Sequence, residues 1–207
     1  MRIRQRRWFP DDAGLQLRAE GESERPVIAG YAAVFDSWTT LYRSPSYVVR
    51  EVIRPGAFRN AIAEEQDVRA LFNHHEDNVL GRTTSGTLRL SEDARGLRVE
   101  FEPPDTELGR SVTEMIRRGD VSQMSFAFIP RRGGEKTTTR AEGDAQVSEI
   151  EITDVDLFDV APVTYPAYQD TEVALRRADV VRRLGAERLK EVYRRMDVLT
   201  RLAAGRA

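Results

Sequence analysis

The chain contains two histidines, and they are adjacent, at positions 74 and 75. If imidazole performs acid–base chemistry in this protein, it does so at His74 or His75. The alternative is a solvated histidine pair at the end of a strand. A zinc site is poorly supported, because adjacent histidines seldom both bind one metal and the nearby Glu76 and Asp77 lack helical i, i+4 spacing. The chain has no cysteine, which excludes disulfides, thiolate nucleophiles and cysteine-based zinc sites.

Ser125 is the candidate nucleophile. It lies in the run 121–128, where the large apolar residues Met124, Phe126 and Phe128 alternate with smaller or polar ones. Such alternation is typical of a half-buried strand and predicts that Ser125 lies on the face opposite the aromatic side chains, open to a partner. From periodicity alone, the simpler interpretation of a small polar residue on a strand is favoured.

A serine nucleophile needs a base within hydrogen-bonding reach and a third group that orients the base. Five acidic residues follow Ser125 within a short segment: Glu149, Glu151, Asp154, Asp156 and Asp159. Most of them alternate with apolar residues, as on a strand with one solvated face. Asp159 differs because it lies between Phe158 and Val160, and a buried carboxylate needs a partner. Orienting a histidine or pairing with an arginine would satisfy it, and both interpretations stay open at this point.

Regular patterns predict the elements that must position these groups. Alternation at 86–90 and 97–101 around a polar turn predicts a β-hairpin. Apolar residues at helical spacing predict a helix that runs through Arg118 and stops at Gly119. The polar, aperiodic run 131–146 predicts a mobile loop. Many short strands with about three helices indicate an α+β fold, mostly antiparallel, built as a barrel or a sandwich.

Composition and charge divide the chain into three parts. Residues 1–13 are expected to form an irregular arm, 14–175 a single domain, and 176–207 a basic tail with an amphipathic helix. The tail carries ten basic and four acidic residues, a net charge of +6, whereas 1–175 carries −8. Nucleic-acid binding would depend on this tail alone, and a charge run is more often a solvated helix face. No apolar run approaches the length of a membrane span, so a cytosolic protein without membrane contact is the simplest expectation.

Five segments carry a resemblance to a known family. They read GYAAVF at 30–35, PGAF at 55–58, NH at 73–74 with VLGR at 79–82, QMSFAF at 123–128, and LFDVAPVTYPA at 157–167. With these motifs in this order, residues 28–170 resemble the prohead (capsid-maturation) proteases of tailed bacteriophages, which are related in fold to the herpesvirus assemblin proteases. The resemblance implies a closed β-barrel of the herpesvirus-protease type surrounded by helices. It requires no cofactor and no metal.

The same resemblance assigns roles to three residues. It implies that Ser125 is the nucleophile and that His74 is the general base. His74 is preferred to His75, because the family's histidine directly follows the strand-end position held here by Asn73. The third member is assigned to Asp159. Two fallbacks for that third position are Asp156 and Glu149.

The implied activity is that of a serine endopeptidase inside an assembling procapsid, in the cytoplasm of a bacterial host. Its implied substrates are the major capsid protein with its scaffold segment, and the protease itself, which also suggests self-association. The segments 131–146 and 176–207 are then self-cleavage or docking regions. The chain departs from the viral relatives in having no arginine in 160–168 to help form an oxyanion hole. Backbone N–H groups near 131–134 are the expected substitute.

A second hypothesis belongs to another class of protein. On the same barrel, a non-catalytic scaffold or interaction protein would need only the acidic body and the basic helix. Loss of His74 would then change nothing, whereas charge reversal in 176–207 would abolish assembly.

Overall fold

The computed structural model describes residues 5–8, 15–19 and 26–164. Over these ranges the chain is mostly β, with thirteen strands and two α-helices. The first seven strands are β1 (Gln5–Trp8), β2 (Gln16–Ala19), β3 (Pro26–Val34), β4 (Thr39–Arg43), β5 (Tyr47–Ile53), β6 (Arg69–Leu71) and β7 (Val79–Arg82). The other six are β8 (Leu88–Glu92), β9 (Gly96–Phe101), β10 (Gln123–Pro130), β11 (Glu135–Glu142), β12 (Ala145–Ile152) and β13 (Val155–Val163). The helices are α1 (Arg59–Ala63) and α2 (Glu107–Arg118), and neither has the length and apolar character needed to cross a membrane.

The described strands form three open sheets, where we expected one closed barrel. Their strand orders are β1-β10-β13-β6-β7, β11-β12-β5-β4 and β2-β3-β9-β8. Closure would require the two outer strands of a sheet to pair with each other, and the pairing within the described ranges does not include this. The pairs are antiparallel except β12 with β5 and β13 with β6, which are parallel. The fold is therefore mostly antiparallel β with a few helices, without barrel closure.

Two predicted elements are confirmed. The hairpin is formed by β8 and β9, which pair antiparallel as their alternation indicated. The predicted helix is α2, and its ends follow from local chemistry. The Thr106 side chain caps its first turn by accepting a hydrogen bond from the Gly109 N–H at 3.2 Å. Gly119 ends it with φ of 83°, a left-handed conformation that glycine adopts without strain.

Two polar segments differ from their predictions. A strand, β1, lies within the expected irregular arm 1–13. The predicted mobile loop 131–146 contains β11 and the turn that leads into β12, and every residue of β11 is exposed. These strands form through hydrogen bonds to a neighbouring strand, so they need no apolar alternation of their own. The predicted helix in 176–207 lies outside the described residues.

The core holds β10 rigidly. Phe126 and Phe128 of β10 are fully buried, with ring centroids 5.0 Å apart. Phe126 also meets the edge of Phe58 at 5.3 Å, in the T-shaped geometry that aromatic rings favour. Burying each phenylalanine contributes about 1.5–3 kcal/mol, so this cluster fixes the strand that carries Ser125.

Candidate active site

Strand pairing places Ser125 and Asp159 on one face of the first sheet. Asp159 of β13 lies opposite Ala127 of β10, and Ser125 lies two residues away from Ala127 along the same strand. Because paired residues and i, i+2 residues point to the same side of a sheet, the two side chains share a face. The β10–β13 register shifts next to this point, beside Phe158. Bulges of this kind commonly re-aim a side chain next to a functional site.

A tight turn after β6 brings His74 over that face. Asn73 and His74 have φ values of 55° and 57°, the left-handed region that few non-glycine residues adopt. Each such residue costs about 1–3 kcal/mol, so the surrounding structure must hold them there. The Asn73 side chain provides part of this hold, because its Oδ1 accepts hydrogen bonds from the Thr164 backbone N–H at 2.9 Å and hydroxyl at 3.3 Å. The end of β13 is thereby tied to the turn that carries the imidazole.

The three side chains meet in a continuous buried chain of hydrogen bonds. The Nδ1 of His74 lies 2.5 Å from Asp159 Oδ1, and its Nε2 lies 2.7 Å from Ser125 Oγ. Ser125 is fully buried, Asp159 is 1% exposed and His74 is 8% exposed. We expected Ser125 to lie on an open face, but the neighbouring groups cover it. The carboxylate of Asp159, in its apolar run, pairs with a histidine, which was one of the two interpretations left open.

The hydroxyl of Ser125 has a second neighbour. Its Oγ lies 2.8 Å from the backbone carbonyl oxygen of Arg7, to which it donates. A serine hydroxyl has one proton, so it cannot donate to the Arg7 carbonyl and to His74 Nε2 at the same time. With β1 in this position, the hydroxyl proton is directed away from the imidazole.

The structure separates the alternative site residues from this group. The His75 side chain is 65% exposed, with its Nδ1 3.9 Å from Asp77 Oδ2. Asp156 accepts hydrogen bonds from Arg131 and Gln66. The other fallback, Glu149, accepts from Arg50 and Arg140 on the second sheet. These side chains have partners of their own, so the hydrogen-bonded group consists of His74, Ser125 and Asp159.

The expected oxyanion donors near 131–134 do not fit the geometry. Arg131 follows Ser125 by six residues of extended chain, which places it about 20 Å away. Its N–H donates to the Asp154 carbonyl oxygen, and the Gly134 N–H donates to the Arg131 carbonyl oxygen. These groups serve the turn between β10 and β11 and lie too far from the serine to stabilise an anion there.

Two buried charged residues beside the site were not singled out from the sequence. Arg7 is 6% exposed and Glu51 is 3% exposed, and they form a salt bridge between β1 and β5. Glu51 lies within the apolar strand sequence Val-Val-Arg-Glu-Val-Ile, the same signal that identified Asp159. Arg7 lies in a polar segment without periodicity, so no local pattern indicates that it is buried.

A buried serine, histidine and aspartate in this hydrogen-bonded order have the geometry of the triad found in serine hydrolases. The comparison with protein families is consistent with that class. The chain belongs to the caudovirus prohead serine protease family, whose family model matches residues 13–184.

Individual relatives match over part of their length. The prohead protease of Enterobacteria phage HK97 is 27% identical over 116 residues, which are 55% of this chain and 46% of that protein. The chain thus spans about half the length of this curated relative. Among solved structures, the bacteriophage T4 capsid assembly protease gp21 aligns over 79% of this chain and 98% of its own, with 9% identity and a TM-score of 0.44.

Proposed function

We propose that this chain is a serine endopeptidase of procapsid maturation, with Ser125 as nucleophile, His74 as general base and Asp159 as the group that orients the base. The observation that carries the proposal is the buried chain of hydrogen bonds from Asp159 through His74 to Ser125. Membership of the prohead serine protease family supports the same activity.

In the proposed reaction, His74 Nε2 accepts the hydroxyl proton while Ser125 Oγ attacks the carbonyl carbon of a peptide bond. Asp159 accepts a hydrogen bond from Nδ1–H, which fixes the tautomer that leaves Nε2 free to act as a base, and it stabilises the imidazolium. The imidazolium then gives its proton to the leaving amine, and the acyl-enzyme forms. Water, deprotonated by His74, attacks the acyl-enzyme and releases the acid product with free Ser125.

The proposed substrates follow from the family. They are the major capsid protein with its scaffold segment, and the chain itself, cleaved inside the procapsid in the bacterial cytoplasm. In this proposal, residues 14–175 form the protease domain and 176–207 a docking or self-cleavage tail. Self-cleavage between copies would require the chain to associate with itself.

Co-expression with the cognate capsid protein tests the proposal. Ser125→Ala should abolish capsid-protein shortening and labelling by a fluorophosphonate probe, because both need the hydroxyl. Ser122→Ala, at an exposed serine three residues earlier, should keep both and serves as the matched control. Shortening that persists in the Ser125→Ala protein would exclude Ser125 as the nucleophile.

A further inference from the structure

Strand β1 pairs with the sheet edge that passes Ser125. It occupies the edge of β10 opposite β13, with Gln5 paired to Phe128 and Trp8 paired to Ser125. Pairing to a sheet edge is a common way to bind an extended peptide. Within this pairing, the Arg7 carbonyl oxygen is hydrogen-bonded to Ser125 Oγ at 2.8 Å. Arg7 is therefore the β1 residue whose carbonyl group lies next to the serine hydroxyl.

The side chain of Arg7 enters a buried site on the other face of the sheet. Its guanidinium donates to both carboxylate oxygens of Glu51, from Nε to Oε1 and from Nη2 to Oε2 at 2.7 Å. It lies 5.5 Å from the centroid of the Phe128 ring, and Gln5 Oε1 also accepts from it at 2.5 Å. A forked, two-bond pairing over an aromatic ring is the geometry that favours a guanidinium group.

A second carboxyl group lies near the same site. The Glu135 side chain, at the start of β11, keeps contact with solvent, but the protein groups around its carboxyl raise its pKa, chiefly by desolvation and then through the Glu51 carboxylate, while Arg7 opposes the rise. The three groups are thus close enough to influence one another. Without the Arg7 guanidinium, the site would hold a buried negative charge with no compensating cation from β1, which is a costly arrangement.

We propose that Glu51 is a specificity-determining residue of this protease, whose carboxylate selects arginine or lysine as the substrate residue that supplies the cleaved carbonyl. Arg7 of the chain's own β1 occupies the pocket in this structure and must leave before a substrate can enter. The inference rests on the proposed function, because it takes Ser125 as the nucleophile. It names a side-chain preference and an internal occupant that the triad alone does not define.

A pair of peptidyl diphenyl phosphonates that differ in one group tests the preference. One carries arginine at the reacting position and the other carries citrulline, which has the same length and shape but no charge. The rate of Ser125 phosphonylation in the full chain is followed by mass spectrometry. We expect the arginine probe to react roughly 10- to 100-fold faster, the value of a buried charge-assisted hydrogen-bond pair. The ratio of the two rates is the readout, since displacement of β1 affects both probes alike.

Glu51→Gln should reduce this ratio to about one. The matched control is Glu149→Gln, which removes a glutamate of the same sheet that pairs with Arg50, and it should keep the wild-type ratio. Equal rates for the two probes in the wild-type protein would overturn the inference and leave the proposed function standing. If neither these probes nor a fluorophosphonate modified Ser125, the proposed function would fail, and the inference would fail with it.

A variant of Arg7, the partner of Glu51 in the salt bridge, keeps the test valid if Glu51→Gln does not fold. Arg7→Gln vacates the pocket and leaves Glu51 in place. We expect it to accelerate the arginine probe, by roughly tenfold, because the internal competitor has lost its charge. Arg7→Lys, which retains a cation, should react close to the wild-type rate. An arginine probe that reacts no faster than the citrulline probe in Arg7→Gln would overturn the inference, because a salt bridge that only anchors β1 would release the strand for both probes alike.

Discussion

The short strand β6 has a charged network at each end, and the two networks differ in exposure. Before the strand, Asp67 accepts hydrogen bonds from Arg82, at 2.6 and 2.7 Å, and from Arg69 at 3.0 Å. These side chains are 39–45% exposed. After the strand, the paired His74 and Asp159 side chains are 6% and 2% exposed. Partners at the exposed end can be replaced by water, whereas water cannot readily replace a partner that is lost at the buried end.

Replacing His74 should have the largest effect among the changes that test this contrast. His74→Gln removes the proposed base, so we expect peptide cleavage to fall by about 10⁴-fold or more. His75→Gln, one residue away but exposed, should leave cleavage within about twofold and is the control. Rates are measured with purified protein and a fluorogenic peptide. Similar losses of cleavage in both variants would contradict the proposed role of His74 as the base.

Asp159→Asn should come next. Asparagine keeps the shape of the side chain, but its amide NH₂ can present a donor to Nδ1 and favour the wrong histidine tautomer. We expect a decrease of about 10³- to 10⁴-fold in kcat with an intact fold. Circular dichroism checks the fold, and Asp156→Asn provides a carboxylate control on the same strand. A cleavage rate that is unchanged in Asp159→Asn would contradict the orienting role.

Asn73→Ala tests whether the turn depends on its strained backbone. The change removes the acceptor for Thr164 and places alanine at φ of 55°. We expect a loss of about 1–3 kcal/mol in the free energy of unfolding, measured by urea denaturation. Asn73→Asp keeps both the acceptor and tolerance of the left-handed region, so it should unfold near the wild-type midpoint. A free energy of unfolding equal to that of the wild-type protein would contradict a stabilising role for the Asn73 side chain in this turn.

The smallest effect is expected at the exposed end of β6. Hydrogen bonds from Arg82 hold the pKa of Asp67 well below its usual range. A carboxyl whose folded pKa is depressed stabilises the fold above its unfolded pKa of about 4, and this contribution is lost as pH falls towards the folded value. Arg82→Gln should therefore lower the melting temperature by less than about 4 °C at pH 6.

The same difference should shrink as the pH falls from about 5 to 2, because protonated Asp67 no longer benefits from Arg82. Melting curves of both proteins across this range provide the measurement. Arg132→Gln, at an exposed arginine after β10, corrects for the loss of one positive charge. A difference that grows on acidification would have the wrong sign for the Asp67 pair.

Sequence periodicity predicts the elements whose pattern is local and misses those that depend on a neighbour. The alternation of β8 and β9 and the helix end at Gly119 can be recognised in the sequence. Each depends on the residue types within the segment itself. The strands β1 and β11 are polar, and they exist because they pair with the edges of β10 and β12. No local rule states which edge is available, so the sequence indicated an irregular arm and a mobile loop.

The candidate site likewise combines features that the sequence predicts with features that depend on tertiary structure. A family resemblance selected His74, Ser125 and Asp159, but their spacing of 51 and 85 residues along the chain defines no distance in space. The hydrogen bonds follow from strand register and from a left-handed turn, which are tertiary properties. Glu51 was detectable as an acid in an apolar strand, and its partner Arg7 was not.

The long separations within the site also have a kinetic consequence. Contacts that join residues 51, 85 and 118 positions apart raise the contact order, and such chains fold slowly because distant segments must meet before any stabilisation is gained. Asp159 belongs to β13, the last described strand. A chain still being synthesised therefore cannot assemble the Asp159–His74–Ser125 chain of hydrogen bonds until nearly all of the described residues have been made. The order of synthesis thus delays the assembly of the proposed catalytic group.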